Sequence, residues 1–321
     1  MNECPPIDIH MMPKKVVAFG ECMLEVQANG FGPAAFAYGG DTFNTAIYLR
    51  RCSDTQDLNV SYATGLGNDP LSEKLMKEWS REGLDLSCIR RVDGKLPGMY
   101  LIETDDQGER RFHFWRESSA ARSYFDTQIT PLEQQAGDID CLYFSGISLA
   151  ILDTAARQRL FNLVKQLKNA GKHVVFDNNY RPRLWPSKEV TREVFEQAFS
   201  MSTLALITAD DHQAVFGLND LEQATQHAQT LNVGEIVIKR GSLPTLVKPQ
   251  DSAAWLTIST QRVETVVDTT AAGDSFAAGY LSRRLRAGTA QEAADFGNQL
   301  AARVIQHRGA IIPLDVMRDL T

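Results

Sequence analysis

Asp274 follows Ala271, Ala272 and Gly273, three residues that offer almost nothing but backbone, and it opens the apolar helical pattern "DSFAAGYL". A turn of small residues feeding a helix leaves the first-turn N–H groups unpaired and presents the positive end of the helix dipole, so a phosphate can approach the main chain closely. An aspartate repels that anion. Its chemistry there is that of a base, accepting the proton of a hydroxyl that attacks the phosphorus. On spacing alone the same aspartate also reads as an ordinary first-turn acid or cap.

No rival centre competes with it. His10, His113, His173, His212, His227 and His307 show no metal-ligand spacing, and the five cysteines are odd in number, scattered and without a C-x-x-C pair. Buried, reduced thiols in a cytoplasmic protein are therefore expected. With 33 Lys+Arg against 40 Asp+Glu and a net charge of -7, the chain has no basic excess with which to displace counterions, which excludes general nucleic-acid or anionic-membrane binding. The N-terminal "MNECPPIDIHMMPKK" lacks the apolar core of a signal peptide, so the mature chain is expected to begin there, with its first dozen residues the most dispensable. "LYFSGISLAIL" is too short to cross a bilayer.

The elements that must hold the site alternate. "KKVVAFGE", "NVSYATGLG", "CLYFSGIS" and "KHVVFDNN" are strand-like, and each of the last three leads into a helical pattern. Repeated strand-then-helix units predict a mostly parallel sheet covered on both faces, an α/β fold. In "DTAARQRLFNLVKQLKNAG" Leu160, Leu163, Val164 and Leu167 fall on one side, Asp153 sits at the N-cap and Gly171 ends the helix, so its face is core. "PGMYLIETDDQGERRFHFWR" breaks the pattern: two period-two runs joined at Asp106-Gln107-Gly108 predict an antiparallel hairpin. Phe112, Phe114 and Arg116 share one of its faces, and Arg111, His113 and Trp115 the other. With the strands near 22–39, this hairpin predicts a flap that keeps water from phosphoryl transfer.

"DTTAAGDSFAAGYL" resembles the C-terminal signature of the ribokinase-like (PfkB) sugar kinases, with Ala272 standing where glycine is commoner. Their N-terminal signature, a glycine pair followed by a sugar-binding asparagine, has its counterpart in "GGDTFNTA", with Gly39, Gly40, Asp41 and Asn44. From about residue 15 to 313, "GECMLE", "YFSGISLAIL", "FDNNYRPRLW", "VIKRG" and "HRGAIIP" add a similarity to bacterial 2-dehydro-3-deoxygluconate kinases. The resemblance implies a three-layer α/β/α sandwich with a small β-sheet lid, one kinase domain over residues 1–321 and lid strands within 22–40 and 97–118. It implies transfer of the ATP γ-phosphoryl group to the 6-hydroxyl of 2-dehydro-3-deoxy-D-gluconate in hexuronate or gluconate breakdown, with Mg²⁺, and in some relatives a monovalent cation near Asp268. Asp274 would be the base, with Ala271, Ala272 and Gly273 as the anion hole. Gly39, Gly40, Asp41, Asn44, Tyr100, Phe114, Arg116 and Arg181 would take the sugar, Phe114 falling where tyrosine is frequent. Asn179, Arg181, Lys239, Gly241 and Ser242 would serve ATP, with Asn298 a candidate beside the adenine. Asp210 and Gln213 correspond to the family's asparagine and glutamate near magnesium, so Mg²⁺ is expected mainly on ATP phosphates and water.

A keto-acid needs cationic partners for its carboxylate, and Arg116 and Arg181 are available for that. Two other readings stay open: a related fructokinase or ribokinase-like enzyme, and a sugar sensor that kept the fold and lost catalysis. A dinucleotide oxidoreductase is disfavoured because no G-x-G-x-x-G follows the first strand. An exposed lid strand is expected to pair with a second copy of the chain.

Overall fold

The computed structural model describes residues 13–28, 33–104, 110–250 and 252–320. The first dozen residues, including Cys4 and His10, and the turn Asp106-Gln107-Gly108 lie outside them. The large sheet contains β1 (Lys14–Phe19), and β2 (Met23–Ala28) and β3 (Ala34–Gly39) leave it for the small one. After α1 (Asp41–Arg51) come β4 (Leu58–Leu66), α2 (Pro70–Arg81) and β5 (Ile89–Arg91), then β6 (Met99–Thr104) and β7 (Arg110–Trp115). The short α3 (Pro131–Gln134) precedes β8 (Cys141–Ser145), α4 (Gly146–Ala150), α5 (Thr154–Asn169), β9 (His173–Asp177) and α6 (Lys188–Met201). The remainder is β10 (Leu204–Thr208), α7 (Ala209–Phe216), α8 (Leu221–Gln229), β11 (Glu235–Arg240), β12 (Leu243–Lys248), β13 (Leu256–Ile258), α9 (Ala272–Arg284) and α10 (Ala290–Val304).

The nine-stranded sheet has the order β13-β12-β11-β10-β9-β8-β1-β4-β5 and is parallel from β5 to β11, with β12 and β13 antiparallel at one edge. Alternation along β1 explains the layering. Val16 and Ala18 join the core that includes α1, α2, α9 and α10, whereas Val17 and Phe19 join the core that includes α5 and α6. Burying each large apolar side chain of this kind contributes about 1.5–3 kcal/mol. The periodicity of α5 is realised as predicted. Asp153 accepts from the Ala156 N–H at 2.8 Å, Leu160, Leu163, Val164 and Leu167 are buried, and Gly171 takes a left-handed φ of 72° just beyond the end.

The second sheet has the order β3-β2-β6-β7, with β2 parallel to β6 and the outer pairs antiparallel. It is the lid. Helix α9 is fixed against α10 by close backbone approach: a Cβ on Gly279 would lie 2.9 Å from the Gly297 Cα. That contact sets where the first turn of α9, and with it Asp274, meets the sheet edge. No helix among the described residues is long and apolar enough to cross a membrane.

Candidate active site

A cavity of 520 Å³ lies between the carboxyl ends of the parallel strands, the N-termini of α1 and α9, and the lid. This is where a parallel α/β sheet offers its binding crevice, because successive connections there diverge to opposite faces. Strand ends supply Asp177 from β9, Thr208 from β10 and Lys239 from β11. The segment after β9 supplies Asn179 and Arg181. From the start of α1 come Gly40, Asp41 and Asn44, preceded by Gly39. A Cβ on Gly40 would lie 2.0 Å from the Glu21 carbonyl oxygen, so only glycine lets the chain pass there.

At the mouth of α9, Ala271, Ala272, Gly273 and Asp274 line the same cavity. Asn44 Nδ2 donates to Asp274 Oδ2 at 2.8 Å, and the Thr45 hydroxyl donates to the Asp274 carbonyl oxygen at 3.2 Å, so α1 holds the aspartate from both ends. Burial pushes the Asp274 carboxyl up to about 8; the negative charges of Asp41 and Asp177 add to the rise, while the Asn44 hydrogen bond and Lys239 oppose it. Burial likewise raises Asp41, against a hydrogen bond from Ser145. Asn179 Nδ2 donates to Asp41 Oδ2 at 3.1 Å. Asp268 accepts from the Thr270 N–H and hydroxyl and from the Gly309 N–H, which orders the loop before the helix.

The lid closes the opposite wall with Tyr100, Phe112 and Phe114. The Phe112 and Phe114 rings stack with centroids 6.4 Å apart, and the Tyr100 hydroxyl donates to Glu25, leaving an apolar surface toward the cavity. A second cavity, of 660 Å³, shares Thr269 and Ala272 with the first and contains Gly241, Ser242 and Asn298. The hairpin turn that joins β11 to β12 presents Gly241 with φ 61°.

Four placements differ from the sequence expectation. Arg116 does not line the cavity: it is 6 % exposed and its guanidinium is paired with Glu21. Asp210 is exposed on the first turn of α7, away from the cavity, and Gln213 does not line it either. Its neighbour Asp211 turns inward instead, accepting from the Tyr180 N–H at 3.2 Å with Arg181 3.8 Å away. The residue whose backbone calls for glycine is Ala271, with φ 61° and ψ 14°, rather than Ala272, which begins the helix.

Sequence reasoning also passed over Asp177 and Phe112. Asp177 carried the signal of an acid closing a buried strand, and Phe112 shares the face of Phe114. Among the described residues no three His, Cys, Asp or Glu side chains converge as a metal cage.

The chain matches the model of the pfkB family carbohydrate kinases over residues 13–317. The chain belongs to that family. This pfkB-family chain is 44 % identical over 310 residues to the 2-dehydro-3-deoxygluconokinase of Dickeya dadantii (strain 3937), spanning 96 % of this chain and 99 % of that one. It is 42 % identical over 308 residues to the Escherichia coli (strain K12) protein of the same name, spanning 95 % and 99 %. Among solved structures, the ATP-bound fructokinase of Xylella fastidiosa superimposes with a TM-score of 0.79 at 21 % identity, over 96 % of this chain and 98 % of that one. The 2-dehydro-3-deoxygluconokinase of Thermotoga maritima gives 0.76 at 22 %, over 96 % and 99 %. Both likenesses place the three-layer fold with its lid in the ribokinase-like class.

Proposed function

We propose that this pfkB-family chain transfers the γ-phosphoryl group of ATP to the 6-hydroxyl of 2-dehydro-3-deoxy-D-gluconate, in the cytoplasm. One observation carries the reading: Asp274, its carboxyl raised to about 8, stands at the mouth of α9 where two cavities share Thr269 and Ala272. A base with that affinity for protons can accept one from an alcohol near neutral pH. The near-full-length identity to two named 2-dehydro-3-deoxygluconokinases supports the choice of acceptor.

The acceptor lies in the first cavity with its 6-hydroxyl toward Asp274, among Gly39, Gly40, Asp41 and Asn44. ATP lies in the second cavity along Gly241, Ser242 and Asn298, with its phosphates reaching Asn179, Lys239 and the α9 mouth. Asp274 takes the hydroxyl proton as the sugar oxygen bonds to the γ-phosphorus. The bond from that phosphorus to the β,γ-bridging oxygen breaks, and its electron pair leaves on ADP. The backbone N–H groups of residues 271–274 stabilise the charge on the phosphoryl oxygens during passage. Phosphate charge would be partly neutralised by magnesium brought in with ATP, a hard ion that would be held mainly by phosphate oxygens and water, with no side chain of this chain assigned to it.

Arg181, the arginine that lines the cavity, meets the substrate carboxylate. Tyr100, Phe112 and Phe114 cover the sugar. The other face of the lid carries Phe36, 71 % exposed, and Trp115, 56 % exposed, which suits pairing with a second copy of the chain.

The test is ADP release measured with 2-dehydro-3-deoxy-D-gluconate, fructose and ribose. Preference for the keto-acid is expected. Preference for a neutral sugar overturns the acceptor, and no release with any of them makes the chain a binding protein.

A further inference from the structure

We propose that Asp177 is a positioning residue for phosphoryl transfer: it holds the Lys239 ammonium beside the α9 mouth and keeps it off the base, Asp274. The inference rests on the reading of Asp274 given above.

Asp177 closes β9 and Lys239 lies near the end of β11, with β10 running between them. Both line the cavity, yet they are only 3 % and 9 % exposed. Lys239 Nζ donates to Asp177 Oδ2 at 3.0 Å, its one hydrogen bond among the described residues. The carboxylate is itself fixed, because its Oδ1 accepts from the Asn179 N–H at 3.2 Å and the Tyr143 hydroxyl donates to Oδ2 at 3.4 Å. On its other side the ammonium lies 3.4 Å from the point where a Cβ on Gly273 would sit. It therefore abuts the turn at which a phosphate would arrive, with two N–H groups unspent.

Three carboxylates, Asp41, Asp177 and Asp274, line this cavity, and Lys239 is buried among them. A buried ammonium without a fixed partner gives up its charge or moves to another anion. If it moved to Asp274, the ion pair would stabilise the ionised base and lower its appetite for the hydroxyl proton. Asp177 prevents that move. It gives the ammonium a fixed partner before ATP arrives, and it does so from the end of a strand with neighbours on both sides. The opposite influences of Asp177 and Lys239 on Asp274 accord with this division of labour.

The experiment is a cycle of Asp177→Asn, Lys239→Met and the double variant. It reads kcat, KM for ATP, the pH dependence of kcat/KM, and direct calorimetric binding of ADP. Asp177→Asn is expected to weaken ADP binding about tenfold, the scale of one charged hydrogen bond, and to move the acidic limb of kcat/KM at least one pH unit lower. The double variant should be no worse than Lys239→Met alone. Losses that multiply in the double variant, or an acidic limb that stays in place, overturn the proposal.

Loss of the Asp177 charge alone would lower the limb by the same amount with and without Lys239, whereas a released ammonium lowers it further when Lys239 is present than in the Lys239→Met background. Should Asp177→Asn not fold, Asp177→Glu keeps the charge and displaces the ammonium: weaker ADP binding with an unmoved limb is expected, and unchanged ADP binding overturns the proposal. The ADP measurement needs no acceptor, and the kinetic arms run with whichever sugar the chain phosphorylates, so an error in the sugar assignment shows separately.

Discussion

Asp177 and Lys239 reach the cavity from β9 and β11, strands with neighbours on both sides inside a sheet covered on both faces. Phe112 and Phe114 reach it from β7, an edge strand of a four-stranded sheet whose far face carries exposed Phe36 and Trp115. The charged groups therefore sit where packing on every side fixes their geometry, and the aromatic cover sits where few neighbours resist a shift. In physical terms, chemistry that fails with an error of an ångström is built on the rigid edge, whereas recognition by apolar area tolerates adjustment.

Substitutions on the rigid edge should do the most. Asp274→Asn should cut turnover by about 10³-fold or more with the affinities for ATP and sugar little changed; near-normal turnover in single-cycle kinetics would remove the base. The same change should stabilise the fold. Between the ordinary aspartate value of 3.8 and about 8, folded Asp274 holds a proton that the unfolded chain has released. Stability therefore falls as pH rises through that window and stays at the lower level above it. Calorimetric melting should show Asp274→Asn gaining on the native chain from pH 4 to pH 9, while native kcat/KM rises with pH through about 8. A gain that is flat with pH would mean that burial does not suppress the charge.

Next in size, Arg181→Ala should raise KM for the keto-acid about 10- to 100-fold with kcat within a few-fold, the scale of a charge-assisted contact. An unchanged KM in steady-state assays would free Arg181 from the carboxylate. On the lid, the double change Phe112→Ala with Phe114→Ala should raise sugar KM only several-fold, and it should alter stability by about 0.5 kcal/mol per site, since both rings are substantially exposed. A collapse of the melting transition would show the lid to be as tightly determined as the sheet edge, and the contrast would fail. Smallest of all, Ala271→Gly should change stability by no more than about 1 kcal/mol in denaturant titration. Relief of the left-handed alanine is offset by the greater freedom of unfolded glycine.

What the sequence made legible follows from period and local chemistry. The strand–helix alternation shows in runs of period two and 3.6, and Asp274 with its small-residue turn shows because the whole arrangement is local. What stayed hidden depends on distant partners or on angular phase. Glu21 and Arg116 are 95 residues apart, so no local pattern reveals that the arginine is already paired. Asp210 and Asp211 are adjacent acids on one helical turn, and only the seating of α7 decides that the second faces inward. Asp177 read as the polar end of a buried strand because its partner comes from β11, 62 residues later. Ala272 reads as standing at the signature's usual glycine while the left-handed backbone falls at Ala271, because alanine at 271 and 272 looks identical in a string.

Thr269 and Ala272 belong to both cavities, so the partition between them is no thicker than a single turn of chain. Donor and acceptor would have to occupy their chambers together, with the phosphorus passing directly through the opening. Initial velocities against one reactant at fixed levels of the other would then give converging lines in reciprocal plots, and the enzyme would never carry the phosphoryl group alone between two half-reactions.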